Sequence, residues 1–143
     1  CIATLPANSN IRAEVAFGTE RSRVDLLVEP AGQRACYVEV KNVTAVVEDG
    51  VALFPDAVTD RGTRHLRELS RVAQAGDARA AMVYCVQRAD VHEVRPAEQI
   101  DPVYAQALRD AISSGVEMYA LRGQPTPDGC QLDTLIPVIA DRV

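Results

Sequence analysis

The sequence predicts an α/β domain, a mixed β-sheet flanked by helices, and three features carry that expectation. The first third of the chain reads as extended segments only. The remainder alternates apolar extended runs with helical periods. Glycine and proline punctuate the joins between them. Strands that begin as a meander and then alternate with helices describe a sheet with antiparallel and crossover-connected parts.

Residues 11–17 and 23–29 are rich in β-branched and apolar side chains and are bounded by Gly18 and Pro30, so each reads as a strand. Residues 35–47 form a longer extended stretch rich in valine. Asp60–Ala75 has helical spacing, with Leu66, Leu69, Val72 and Ala73 on one arc, and stops at Gly76. Residues 78–87 are an almost unbroken apolar run, as in a strand buried on both faces. Asp101 and Pro102 supply an N-cap and a first-turn proline for a helix running through Tyr104, Leu108 and Ile112 to Gly115. Residues 116–121 read as another strand and residues 132–139 as an edge strand, because Pro137 interrupts it. Residues 124–129 (QPTPDG) read as a loop too short to separate domains, so residues 1–143 are expected to form one domain.

Composition narrows the class. A 143-residue chain with 48% hydrophobic and 24% charged residues fits one soluble domain with a full core. No apolar run reaches membrane-spanning length and no signal-like segment stands at the start, so a cytoplasmic location and no membrane partner are expected. The chain opens on Cys1 rather than methionine, and residues upstream of it are expected. Cys1, Cys36, Cys85 and Cys130 are widely spaced, with no C-x-x-C pair, so zinc and dithiol chemistry are unsupported and reduced thiols are expected. The net charge of -5 supplies no long-range attraction for nucleic acid, and 4% aromatics supply no stacking platform. Contact with nucleic acid would have to come from a local patch.

The segment RVDLLVEPAGQRACYVEVK, residues 23–41, holds the candidate chemistry. Two extended runs flank residues 30–33, which predicts a hairpin. Centred on Gly32, the hairpin sets Asp25 opposite Glu39, with cross-strand Cβ atoms about 4.5–5.5 Å apart. Alternation puts Tyr37, Glu39 and Lys41 on one face and Cys36, Val38 and Val40 on the other. Two unit charges about 5 Å apart repel by roughly 3 kcal/mol at an effective dielectric of 20, about two pKa units. Such a pair therefore keeps one carboxyl partly protonated or takes a cation, and Mg²⁺ or Mn²⁺ suits carboxylate oxygens. With Lys41 beside it, a bound ion gives the layout phosphodiester hydrolysis needs. The ordinary reading of E-x-K on a strand is a solvated ion pair.

The remaining candidates each carry two readings. Glu14 is either a further metal ligand or an exposed strand residue. Arg61, Arg64, Arg67 and Arg71 share an arc of the Asp60–Ala75 helix and are either a nucleic-acid-binding stripe, with Arg61 at the anion-preferring helix start, or a solvated face with Glu68 among them. His65, on the apolar arc, is a core histidine or lies over the metal site. Gln87 is a structural amide or points into the cleft, and Asp56 supports a turn or touches a metal.

Several strings resemble signature segments of the sugar fermentation stimulation protein A family: EVAFG at 14–18, SRVD at 22–25, YVEVK at 37–41, and FPDAVTDRG at 54–62. HLREL at 65–69, VQR at 86–88, IDP at 100–102 and GVE at 115–117 continue the match. That resemblance implies a restriction-endonuclease-like PD-(D/E)xK core in which Asp25 and Glu39 are metal ligands and Lys41 is the catalytic lysine. It implies nucleic acid, DNA above all, as partner, a link to maltose metabolism, and compatibility with a homodimer. The alternative is a non-catalytic DNA-binding regulator that keeps the nuclease fold. It further implies an N-terminal OB-like domain absent from this chain, and a helical stretch with an acidic residue where Ser9-Asn10 here runs straight into Ile11.

Overall fold

A computed structural model describes residues 8–20, 22–44 and 48–141. Strands β1 (Asn10–Phe17), β2 (Ser22–Glu29) and β3 (Cys36–Val43) form the meander. After β4 (Val51–Phe54), helix α1 (Asp60–Ala75) leads into β5 (Arg79–Val86), and β6 (Glu93–Pro96) precedes helix α2 (Pro102–Ser113). A closing hairpin joins β7 (Glu117–Thr126) to β8 (Gly129–Ile136). The main sheet has the order β1-β2-β3-β5-β7-β8, while β4 and β6 make a separate parallel pair.

The sheet is mixed, as expected. β1, β2 and β3 pair antiparallel, β3–β5 and β5–β7 parallel, and β7–β8 antiparallel. The helices, however, do not divide between its faces. Side chains of α1 (Leu66, Leu69) and α2 (Tyr104, Leu108) join one core cluster with Phe17, Val24, Met82 and Tyr84. The opposite face carries a second cluster, Val28, Cys36, Val38, Ala81 and Val83, built from strand residues alone. Crossover connections between parallel strands are right-handed almost without exception. The steps β3→β5→β7 move across the sheet in one direction, so both crossover helices land on the same face. Each fully buried leucine there contributes about 1.5–3 kcal/mol.

Helix starts are fixed by side chains. Thr59 caps α1 by accepting from the Gly62 amide at 3.0 Å, and Gly76 ends it in the left-handed region at φ 79°. Asp101 caps α2 by accepting from the Tyr104 amide at 2.9 Å, and its other oxygen accepts from the Thr59 amide at 2.8 Å. One buried carboxylate thus joins the starts of both helices.

Three local expectations change. Residues 124–129 belong to a hairpin, with Thr126 opposite Gly129 across a two-residue turn. Pro125 is tolerated because β5 pairs with β7 only as far as Arg122, so its missing N–H faces no further strand. β8 ends at Ile136, before Pro137, and is an edge strand. The four-residue strands β4 and β6 are too short to show a period, and the extended stretch through residue 47 is described only to Thr44, with β3 ending at Val43. Among the described residues Cys36, Cys85 and Cys130 are free thiols, and burial pushes the Cys36 thiol up to about 11. No helix among the described residues is long and apolar enough to cross a membrane.

Asp101→Ala removes the cap of α2 and strands the Thr59 amide, so it is expected to cost about 2–3 kcal/mol. Urea unfolding of the two proteins measures it. A loss no larger than a single exposed cap would show that the bond to Thr59 contributes nothing.

Candidate functional site

Glu39 occupies the centre of β3, between β2 and β5, and is 1% exposed. Pleating turns Glu39 and Lys41 toward the helices, while Cys36 and Val38 face the other cluster. The Lys41 ammonium lies 2.6 Å from Glu39 Oε1. His65, buried on α1, places its Nδ1 against the same oxygen. Glu39 Oε2 is equally buried and has no hydrogen-bond partner among the described residues. Burial pushes the Glu39 carboxyl up, but the bonds from His65 and Lys41 outweigh it and leave the group below the usual glutamate range. It is a carboxylate, and only one of its oxygens is bonded.

Asp25 stands where the hairpin register sets it. The pairs Leu26↔Val38, Leu27↔Tyr37 and Val28↔Cys36 centre on Gly32, which adopts φ 73°. One further step opposes Asp25 to Glu39, but the ladder stops there. Instead, Asp25 Oδ2 accepts from the Val40 amide at 2.7 Å. Alternation also breaks at this point. Val24 packs in the helix-side core, whereas Leu26 and Val28 pack on the other face, so strict period-two pleating is lost between them. On the neighbouring strand Glu14 falls between the pairs Ala13↔Leu26 and Val15↔Val24, opposite Asp25, and adopts φ 54°. A left-handed non-glycine residue inside a strand costs about 1–2 kcal/mol.

Lys41 and His65 meet Glu39, while Asp25, one step beyond the paired register, contacts the backbone amide of Val40 next to Glu39. Each carboxylate has its own local donors: Val40 for Asp25, Lys41 and His65 for Glu39. Glu39 accordingly moves below its ordinary range rather than above it. Glu14 is exposed, and among the described residues no three His, Cys, Asp or Glu side chains, Asp25, Glu39 and His65 included, form a metal-holding group.

The four arginines differ in their contacts. Arg67 contacts Glu20 at 3.2 Å; Arg71 contacts Glu20 at 3.0 Å and Glu68 at 3.1 Å. These bonds, Arg67's first, hold the Glu20 carboxyl below its usual range. Arg61 is exposed, and Arg64 is half-buried with no partner for its Nε among the described residues. Glu68, read from sequence as one charge on a solvated face, is fully buried and accepts from the Thr19 and Glu20 amides at 2.8 and 2.6 Å. It locks the β1–β2 turn to α1, and Gly18 lies so close to Glu68 Oε2 that a Cβ there would clash. Gln87 is exposed at the end of β5, lining a hollow of about 260 Å³ with Asn42, Thr44 and Arg88, so it is no buried structural amide. Asp56 is exposed and takes only a long 3.4 Å bond from Thr44. A hollow of about 670 Å³ between α1 and α2 touches neither carboxylate.

Residues 1–129 match the protein family described as "Sugar fermentation stimulation protein RE domain". The chain belongs to that family. Among curated members, the sugar fermentation stimulation protein homolog of Thioalkalivibrio sulfidiphilus is 50% identical over 141 residues, covering 99% of this chain and 59% of its own. The homolog of Alkalilimnicola ehrlichii is 54% identical over 130 residues, covering 90% and 54%. This chain thus spans little more than half the length of the curated relatives it matches. Among solved structures, that of Pyrococcus furiosus SfsA in complex with Ca²⁺ superposes with a TM-score of 0.83 at 30% identity, covering 93% of this chain and 56% of that one. The family resemblance read from the sequence motifs is therefore correct.

The contact that sequence reading left open is His65 with Glu39. The available signal was a histidine on the buried arc of α1, which fixes its burial but not its partner.

The sign of the Glu39 shift gives a pH prediction. A carboxyl whose folded-state pKa is depressed contributes stability that is present above its ordinary value and lost as pH falls through the lower folded value. With EDTA present, the stability advantage of the wild type over Glu39→Gln should shrink as pH is lowered below the usual glutamate range. Melting curves across that range would show it, and a constant gap would refute the depressed pKa.

Proposed function

We propose that this chain is a divalent-metal-dependent nuclease or phosphodiesterase module of the PD-(D/E)xK kind, acting on nucleic acid, with DNA the first candidate. One observation carries the reading: Glu39 Oε2 is a buried oxygen without a partner among the described residues, on a carboxylate whose other oxygen meets Lys41, with the strand-anchored Asp25 bonded to the next residue's amide. An orphaned buried carboxylate oxygen is costly unless something occupies it. Hard oxygen donors suit Mg²⁺ or Mn²⁺, so the residues fit such an ion, and the Ca²⁺ named for the Pyrococcus furiosus relative is of the same hard class.

Asp25 and Glu39 would hold the ion. When bound, such an ion lowers the pKa of coordinated water and offsets charge on a phosphate. The protein's own residues do the rest. The Val40 amide and the His65 imidazole fix the two carboxylates. The Lys41 ammonium carries a positive charge where a phosphate under attack gathers negative charge. A water oxygen forms the new bond to phosphorus as the ester oxygen leaves with a proton. The physiological link to sugar fermentation in the family's name would run through this action on nucleic acid. A purely DNA-binding role draws less support, because Arg67 and Arg71 are held by Glu20 and Glu68.

Cleavage assays on DNA and RNA with Mg²⁺ or Mn²⁺ test the proposal. Asp25→Asn, Glu39→Gln and Lys41→Ala should each lower the rate by at least about 100-fold. The first two should also lose ion binding, and Lys41→Ala should retain it. Full cleavage by Glu39→Gln would sink the assignment.

A further inference from the structure

We propose that the hollow at the carboxyl ends of β3 and β5 is a nucleobase subsite, in which the side-chain amides of Asn42 and Gln87 read the edge of an adenine. The proposal rests on the nucleic-acid reading above and deepens it, by naming the part of that substrate which this chain recognises away from the carboxylates.

Strand register brings the groups together. β3 and β5 run parallel, with Asn42 beside Cys85 and Val43 beside Val86. Cys85 packs with the strand-only cluster, so Asn42 shares that face, and Thr44 and Gln87, each two residues further along, continue it. Asn42, Thr44 and Gln87 are exposed, and with Val43 and Arg88 they line a hollow of about 260 Å³. Ligands of open α/β sheets sit outside the carboxyl ends of the strands, which is where this hollow lies.

The lining decides the class of ligand. Its cation, Arg88, is already engaged: Nε and Nη2 donate to the two carboxylate oxygens of Asp90. The hollow therefore has no uncompensated charge with which to capture a phosphate. What remains is neutral: two carboxamides, and the Thr44 hydroxyl, which donates a long 3.4 Å bond to Asp56. Neither carboxamide has a hydrogen-bond partner among the described residues. Each presents an N–H donor beside a C=O acceptor. That pattern matches adenine, whose N7 accepts and whose N6 donates on one edge. Guanine offers two acceptors there, N7 and O6, and would set O6 against the amide oxygen.

Position ties the hollow to the reaction. Asn42 follows Lys41 directly on β3, and pleating sends the two to opposite faces. A nucleotide strand crossing the rim of the sheet meets the ammonium with a phosphate and the amides with a base.

Because Asn42 and Gln87 are exposed, Asn42→Ala and Gln87→Leu should melt at the wild-type temperature, so both variants can be assayed folded. Fluorescence anisotropy of the 143-residue chain, in EDTA and again in Ca²⁺, compares short single-stranded DNAs of thymidine alone with the same strands carrying adenine or guanine. Wild type should bind the adenine strand about tenfold more tightly than the other two. In each variant that preference should fall toward unity, while affinity for the thymidine strand stays the same. A wild type without adenine preference would overturn the proposal, as would variants that keep it. Variants that lose affinity equally for all three strands would overturn it too, since the amides would then serve the backbone alone. Cleavage in Mg²⁺ or Mn²⁺ separates this result from the reading beneath it. Adenine preference without cleavage upholds the subsite and removes the nuclease, and cleavage without preference does the reverse. If no strand binds in either condition, both fail.

Discussion

The structure is organised around a carboxylate buried in the middle of a sheet. Glu39 lies on β3, the strand where the antiparallel meander meets the parallel half, and it is as buried as the leucines of α1. An ionised group in that position would be severely destabilising without close donors. Two are supplied: Lys41 from the same strand two residues on, and His65 from the first crossover helix. The Lys41 contact is local, but the His65 contact requires that α1 be laid over β3 in one register. Docking the helix and stabilising the charge are thus a single event.

Topology explains why a helix is available at that spot. Right-handed crossovers moving across the sheet in one direction place α1 and α2 together on the face that Glu39 and Lys41 share. Their starts are tied by Asp101, whose two oxygens serve the amides of Thr59 and Tyr104. Tyr104 in turn meets Tyr84 of β5 through a 2.7 Å hydroxyl–hydroxyl bond in the same core. Burial raises both phenols, so these hydroxyls stay neutral and serve as fixed dipoles beneath the site.

Asp25 is held by a different device. An undistorted ladder would give the Val40 amide to a backbone carbonyl and leave the Asp25 carboxylate without that donor. The break in pleating at Asp25, with Glu14 at positive φ beside it, exchanges a backbone bond for a side-chain bond and anchors the carboxylate at the strand's end of pairing. Local strain of this kind persists where surrounding structure enforces it and is concentrated at functional sites. Here β1 and β2 hold their register on both sides of the distortion, from Asn10↔Glu29 to Phe17↔Ser22.

The sequence by itself determined the periodic elements and the hairpin that joins the two acids. Helix α1 was readable end to end from its apolar arc and Gly76, and α2 from the Asp101-Pro102 start. The opposition of Asp25 to Glu39 followed from counting outward from Gly32, because pleating and register are local properties of consecutive residues. The family was legible too, since long strings such as residues 54–62 preserve their order whatever they pack against. Only the tertiary structure decided the partners. That His65 would bond Glu39, that Glu68 would be a buried turn anchor and not a surface charge, and that Arg67 and Arg71 would be taken up by Glu20 all depend on contacts between residues 26 to 51 positions apart. The short strands β4 and β6 and the kink at Glu14 were hidden for the same reason. Four residues show no period, and a positive φ is imposed by neighbouring strands, not by the residue that adopts it.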